Sequence, residues 1–334
     1  MSQQKRTTIR EVAARAEVSI STVSRYLSDP TSVQPFLAYR IKDAIKELEY
    51  VPNTFARNLR RGSSMAVGVV VPNLEFFFGK SCRAISDYFY NQNYVTFICE
   101  SDNEAQKEQF FIQQLIEQQV AGIIVATCGY NTMFLQQAHQ QYKNLVMLDR
   151  AENIGCDIVT ENHEENAFRL TQFVLANNQC DSLELLLGKE VGVNTKLCIK
   201  GVERALSQAT DRPKPKVYIH YGCRREDLLA EVVQQVHQRL DNGRPTFVGF
   251  EPDFVEQAVI NMNRLDAGMI DRVDIAGCAM RNTMDKLGMK FPCVVRNPEL
   301  VGIKAAEVLY KRLTGTKQEV PQRYEVNSIW NLKG

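Results

Sequence analysis

Residues 8–62 read TIREVAARAEVSISTVSRYLSDPTSVQPFLAYRIKDAIKELEYVPNTFARNLRRG. Thr8 followed by Glu11 has the spacing of a capping box. Ile9, Val12 and Ala13 then give one apolar face. Ser19 is a second N-cap candidate, with Val23 and Leu27 anchoring the short helix after it. Pro35 suits a helix first turn, and Leu37, Ile41, Ala44, Ile45 and Leu48 recur at helical spacing. Tyr50-Val51-Pro52-Asn53 breaks that third helix. The stretch is therefore expected to be all α: a helix, a tight turn, a second short helix and a longer third one. Residues 53–61 allow a further helix too short to be stable alone.

Charge is distributed unevenly around this stretch. Residues 1–62 carry eleven Lys/Arg and six Asp/Glu, about +5 by that count. The whole chain of 334 residues is only +1, so the remainder is about −4. A basic end on an otherwise acidic chain points to nucleic acid. Nine cysteines (82, 99, 128, 156, 180, 198, 223, 278, 293) show no C-x-x-C spacing, which argues for a reducing compartment and against a disulfide framework or zinc site. The four histidines lack metal-ligand spacing. The polar start MSQQKRTTIR has no apolar signal core, and no apolar run approaches a membrane span. The expected setting is the cytoplasm, with no cofactor or metal.

From residue 66 short β-rich runs alternate with helical stretches: AVGVVV (66–71), YVTFIC (94–99), GIIVAT (122–127), NLVMLD (144–149), DIVT (157–160), LELLL (183–187), VYIH (217–220), TFVGF (246–250) and VDIAG (273–277). Such alternation implies parallel α/β architecture, and this many strands suits two doubly wound subdomains better than one sheet.

TIREVAARAEVSISTVSRYL, then YVPNTFARNLRRG, then AVGVVVPNL, in that order, resemble the LacI/GalR family of bacterial transcription regulators. The stretches ESDNEAQKEQFFIQQLIEQQVAGIIVAT and VMLDR are closest to its fructose-repressor (catabolite repressor/activator) branch. The resemblance implies a helix-turn-helix headpiece (1–52), a hinge helix (53–63) and a two-lobed, periplasmic-binding-protein-like α/β core (64–334). The first lobe is expected at about 64–160 and 292–320, the second at about 161–291 and 321–334. It further implies a homodimer that binds operator DNA and responds to a small molecule in the core cleft. A two-fold dimer reads a pseudo-palindrome. The implied function is a regulator, expected to be a repressor, of a carbohydrate or carbon-metabolism operon.

By register with the family, Ile20, Ser21 and Arg25 are the base readers. Arg25 suits the O6/N7 edge of guanine, Ser21 discriminates weakly, and Ile20 makes apolar contact. Ser19, Thr22 and Ser24 suit phosphates. In the hinge, Asn53, Ala56, Arg57 and Leu59 are assigned to DNA: Ala56 lets two hinge helices pack, and Leu59 is the wedge for a minor-groove base step. Where the family offers hydroxyls and an Arg at the start of the third helix, this chain has Gln34, Leu37 and Ala38, with Tyr39 or Arg40 as compensation.

For the core, ligands are expected at the carboxyl ends of strands. The candidates are Asn73, Phe77, Arg150, Asn162, Asn194, Lys196 and Glu251. Arg150 matches a ligand contact of the fructose-repressor branch, and an Arg suits a carboxylate or phosphate; the bland alternative is an ion pair with Asp149 or the other lobe. Three family sugar-binding groups are replaced, by Cys198, by Phe250-Glu251 and by Ala279. Three readings of the cleft stay open: a phosphorylated or acidic metabolite, something less polar, or lost ligand control and a protein partner instead. A small-molecule binding protein without DNA function is a weaker alternative, which the headpiece opposes. No Gly-rich phosphate loop, nucleophile elbow or metal spacing marks an enzyme. The end NLKG lacks the heptads of a tetramerising coiled coil.

Overall fold

A computed structural model of the chain describes residues 7–50, 64–177, 180–209, 213–316 and 320–331. It divides into two units, Met1–Ser64 and Met65–Gly334. The hinge candidates Asn53, Ala56, Arg57 and Leu59 lie outside the described residues.

In the first unit the helices are Ile9–Arg15, Ile20–Ser28 and Pro35–Glu47, with a 3-10 turn at Pro30–Ser32. Both N-caps form. Thr8 and Glu11 make a reciprocal capping box, and Ser19 accepts the Thr22 N–H at 3.1 Å. Glu17 takes the left-handed backbone region at φ 50° in the turn between the first two helices. Val12, Ala13, Ala16, Val23, Val33, Ile41, Ala44 and Tyr50 are buried together. So small a core makes the caps a large share of the stability.

The second unit is two six-stranded sheets. The first holds β1 (Ala66–Val71), β2 (Val95–Glu100), β3 (Gly122–Val125), β4 (Leu145–Leu148), β5 (Asp157–Glu161) and β11 (Arg323–Val326), in the order β11-β5-β4-β3-β1-β2. The second holds β6 (Ser182–Leu186), β7 (Lys216–His220), β8 (Pro245–Gly249), β9 (Asp274–Ala279), β10 (Cys293–Val295) and β12 (Ile329–Asn331), in the order β12-β10-β9-β8-β6-β7. All pairings are parallel except β10 with β12. Every strand run expected from the sequence is present, and the late strands β10, β11 and β12 are additional.

Those late strands correct the expected lobe limits. Cys293–Val295 pairs with β9 in the second sheet, although 292–320 was expected in the first lobe. Arg323–Val326 pairs with β5 in the first sheet, although 321–334 was expected in the second. The helix between them, Pro298–Leu313, buries Val301, Ala305, Ala306 and Leu309 against the first sheet. Strands of three or four residues carry too little periodic pattern to show which sheet they join; long-range pairing decides it. In the second lobe Gly201 lets the helices His163–Asn177 and Val193–Gln208 cross closely, since a Cβ there would fall 2.2 Å from the Glu164 carbonyl oxygen. Among the described residues no helix is long and apolar enough to cross a membrane.

Candidate DNA interface and ligand cleft

The helix Ile20–Ser28 separates its side chains into two faces. Val23 is fully buried in the headpiece core. Ile20 is 40% exposed, and Ser21 and Arg25 are exposed with it. This is one open face carrying a guanidinium, a hydroxyl and a branched apolar group. Ser19 Oγ lies 2.7 Å from both Ser21 Oγ and Thr22 Oγ1, so the cap and its neighbours form one hydroxyl cluster at the helix start. Thr22 and Ser24 are half-buried beside it. On the third helix Arg40 pairs with Glu17 and stands over the Phe36 ring, so its charge is already engaged. Tyr39 and Phe36 are exposed.

In the core a cleft of about 240 Å³ lies between the lobes. Its first-lobe wall carries Asn103, Thr127, Cys128, Gly129 and Arg150, which follow β2, β3 and β4. The second-lobe wall is built by the loops after β6 (Gly188 to Thr195), β7 (Gly222, Arg224, Arg225) and β8 (Glu251). All of these lie at carboxyl ends of parallel strands, where loops of neighbouring βα units converge. The fully buried Glu108 holds the first-lobe loop: its carboxylate accepts from Thr127 Oγ1 at 3.1 Å and from the Cys128 N–H at 2.6 Å.

Of the expected ligand residues, the structure brings Arg150, Asn194 and Glu251 into the cleft. Arg150 donates to Asn103 Oδ1 at 2.8 Å and faces Glu251 of the second lobe at 4.0 Å. Burial lowers its pKa, and Glu251 works against that shift. Four residues fall elsewhere. Phe77 is buried core, edge-on to Phe78. Asn73 accepts the Glu75 N–H at 3.2 Å, and Asn162 accepts the Glu165 N–H at 3.0 Å, so each orders its own backbone turn. Lys196 is exposed and outside the cleft lining. Lys189, Thr195, Arg224 and Arg225 line the cleft and were missed. Their signal is position past a strand, since GKEVG follows the LELLL strand and GCRR follows VYIH. A wider cavity of about 470 Å³ surrounds Asn162. Most of its charged side chains pair with one another, Arg204 with Glu164 and Glu165, and Arg323 with Glu325.

Beneath the cleft, Arg296 joins the lobes. It lies on the crossover between β10 and the helix Pro298–Leu313 and is 4% exposed. Its guanidinium reaches Asp149 and Glu161, each at 2.5 Å, and Glu251 at 4.0 Å, and it stands 3.9 Å over the Phe77 ring. Asp149 also meets His163 Nε2 at 3.1 Å and accepts from Asn194 Nδ2 at 3.2 Å. Burial alone would raise the pKa of Asp149; Arg296 and His163 instead hold it well below the usual carboxylate range. Asp149 is therefore committed to the interior. Arg224 stands 3.8 Å from Glu251 and 3.5 Å from Asp253, whose pKa burial raises against the opposing pull of Arg224.

Residues 8–53 match the model of "Bacterial regulatory proteins, lacI family". The chain is 27% identical over 316 residues to the HTH-type transcriptional repressor PurR of Aliivibrio salmonicida, covering 93% of this chain and 94% of that protein. Its fold matches the lac repressor dimer bound to operator and the anti-inducer ONPF, with a TM-score of 0.77, 19% identity, and 97% and 98% of the two chains covered. It also matches the Cra dual regulator of Pseudomonas putida in complex with fructose 1-phosphate, with a TM-score of 0.70, 15% identity, and 81% and 99% covered. These findings support a lacI-family DNA-binding regulator with a two-lobed core. At 15% identity the likeness to Cra carries the fold alone, so the fructose-repressor branch is not singled out.

Proposed function

We propose that this chain is a dimeric, sequence-specific repressor of a carbon-metabolism operon, controlled by an anionic small molecule in the core cleft. The observation that carries the DNA half is the exposed Ile20, Ser21 and Arg25 face on a capped helix whose other side is buried. Only the major groove distinguishes all four base pairs, and a short helix presenting an Arg reads it bidentately at guanine. Ser19, Thr22 and Ser24 then serve as phosphate contacts. The hinge residues Asn53, Ala56, Arg57 and Leu59 keep the role that the sequence resemblance implies.

The dimer is favoured by the sheet edges. The terminal strand β2 leaves Val95, Phe97 and Ile98 exposed by 59, 48 and 40%. The terminal strand β7 leaves Val217 and Ile219 exposed by 38 and 41%. Apolar edge strands left open invite self-association, and a closed two-fold contact covers them.

The anionic ligand is favoured by the chemistry of the cleft. Arg150, Lys189, Arg224 and Arg225 line it against the single carboxylate Glu251, whereas Cys198 and Ala279 stand where the family's sugar-binding groups would be.

The test is a mobility shift with DNA selected from a random pool at about 0.15 M salt. The expected result is a pseudo-palindromic site bound by two chains, at least about 10³-fold tighter than unrelated DNA. Equal affinity for both DNAs would remove the proposal.

A further inference from the structure

The turn between β6 and the helix Val193–Gln208 forms much of the second-lobe wall of the cleft. The Gly192 N–H closes it onto the Lys189 carbonyl at 2.9 Å, and the Lys196 N–H makes the first helical bond, to the Gly192 carbonyl at 3.1 Å. The helix runs for 16 residues and begins without a side-chain cap. Its first-turn N–H groups, those of Val193, Asn194 and Thr195, therefore end open toward the cleft that these residues line. Asn194 does not cap them, because its amide donates to Asp149 across the lobes.

Thr195 is the second observation. It lines the cleft yet is only 6% exposed, and among the described residues its hydroxyl has no hydrogen-bond partner. The hydroxyl opens onto the cleft, where a ligand oxygen can be its partner. The space over it exists because two neighbours lack side chains: a Cβ on Gly188 would sit 3.4 Å from Thr195 Oγ1, and one on Gly192 would sit 3.3 Å away. Positive charge is strapped alongside. The Gly222 N–H bonds to the Gly188 carbonyl at 2.9 Å, and the Cys223 N–H to the Leu187 carbonyl at 3.1 Å, so the loop carrying Arg224 and Arg225 lies against the turn. Lys189 rises from the turn itself, its ammonium 4.9 Å over the Tyr130 ring of the first lobe.

We propose that the Gly188–Thr195 turn is a phosphate subsite, which takes the phosphoryl group of a phosphorylated effector. The proposal rests on the reading of the cleft as a ligand site and orients that ligand. Helix-start N–H groups, a hydroxyl and the Lys189 and Arg224 charges hold phosphoryl oxygens at the second lobe. The rest of the molecule then faces Asn103, Thr127 and Arg150 on the first lobe. The turn lacks both the P-loop and the dinucleotide glycine spacings, so no phosphate loop showed in the sequence.

Calorimetric titration of the full chain with inorganic phosphate, at constant ionic strength, tests it. One saturable phosphate per chain is expected. Thr195→Val removes the hydroxyl, and Gly188→Ala places a methyl over it at an ordinary contact distance, without a positive φ to strain. Each should weaken phosphate by about tenfold or more. Melting temperature and ligand-free DNA binding report whether each variant is intact. No saturable binding by the parent chain, or unchanged affinity in both variants, would overturn the subsite. So would loss of phosphate binding in Arg150→Gln alone, which would place the anion on the first lobe. Loss of the subsite with selective DNA binding retained leaves the regulator standing; loss of selective DNA binding with the subsite retained removes the regulator and keeps the site.

Discussion

The headpiece and the core cleft organise their functional side chains in opposite ways. In the headpiece the candidate base readers Ile20, Ser21 and Arg25 lie within one and a half turns of a single helix, and the cap that starts it, Ser19, is their neighbour in sequence. In the cleft, contacts run between residues far apart. Arg150 meets Asn103 at a separation of 47 residues, Asn194 meets Asp149 at 45, and Arg296 meets Asp149 at 147. The headpiece leaves its charge exposed, where DNA would neutralise it. The core buries its charge and neutralises it internally. One region is therefore a display whose failures should be functional, and the other an assembly whose failures should first be structural.

The largest expected effect tests that contrast at Arg296. Arg296→Met keeps an unbranched apolar stem but removes the guanidinium over Phe77 and leaves Asp149 and Glu161, 3% and 0% exposed, without their cation. Breaking one partner of a buried pair costs about 3–5 kcal/mol. Denaturant unfolding followed by the single tryptophan, Trp330, which packs in the core, should show the core losing that much, while calorimetry finds the headpiece transition in place. The loss has a pH signature. The folded pKa of Asp149 lies below its ordinary value of 3.8. Its contribution is therefore present above about 3.8 and fades as pH falls below it, so parent and variant should converge in acid. A loss under about 1 kcal/mol at neutral pH would mean the network does not join the lobes.

The same contrast explains what the sequence made legible. The headpiece is written in local signals: Thr8 with Glu11, Ser19 before an apolar pair, Pro35 at a helix start. The long buried strands such as Val67 to Val71 announce themselves by run length. The short strands β10, β11 and β12 do not, since three or four residues carry no clear period and pairing chooses their sheet, for β11 with β5 more than a hundred residues away. In the cleft, Arg150, Asn194 and Glu251 were reachable because they sit just past strands or at a helix start. Asn73 and Asn162 satisfied the same rule, but each turns its side chain back on its own backbone. Lys196 sits one residue past Thr195, and on a helix that step rotates it out of the cleft. Arg296 had no signal, because nothing local marks an arginine whose partners are Asp149 and Glu161.

The next effect belongs to the display. Arg25→Ala should weaken the selected site by about 1–3 kcal/mol, roughly 5- to 150-fold, and relax selectivity at one base pair per half-site. Core stability should not change, because Arg25 is exposed and packs in no described core cluster. Competition mobility shifts with single-base operator variants distinguish the two roles open to an exposed arginine. Equal weakening on every sequence would make Arg25 a phosphate contact and would move the reading to Ile20 and Ser21.

The smallest effect asks whether a purely local signal can matter as much as its position suggests. Thr8→Ala deletes the hydroxyl that caps the Ile9–Arg15 helix and leaves Glu11 with half of its reciprocal box. Such a cap is worth about 1 kcal/mol. That is minor for the core, yet it is a sizeable share for a headpiece whose hydrophobic cluster is eight buried residues. Calorimetry should show the headpiece transition falling by several degrees, with the core transition unmoved. The variant should also bind DNA more weakly in proportion to its unfolded fraction, while keeping its base preferences, because Arg25 and its neighbours are untouched. A change in preference without a change in melting would show that Thr8 itself faces DNA, and the line between scaffold and display in the headpiece would have to be redrawn.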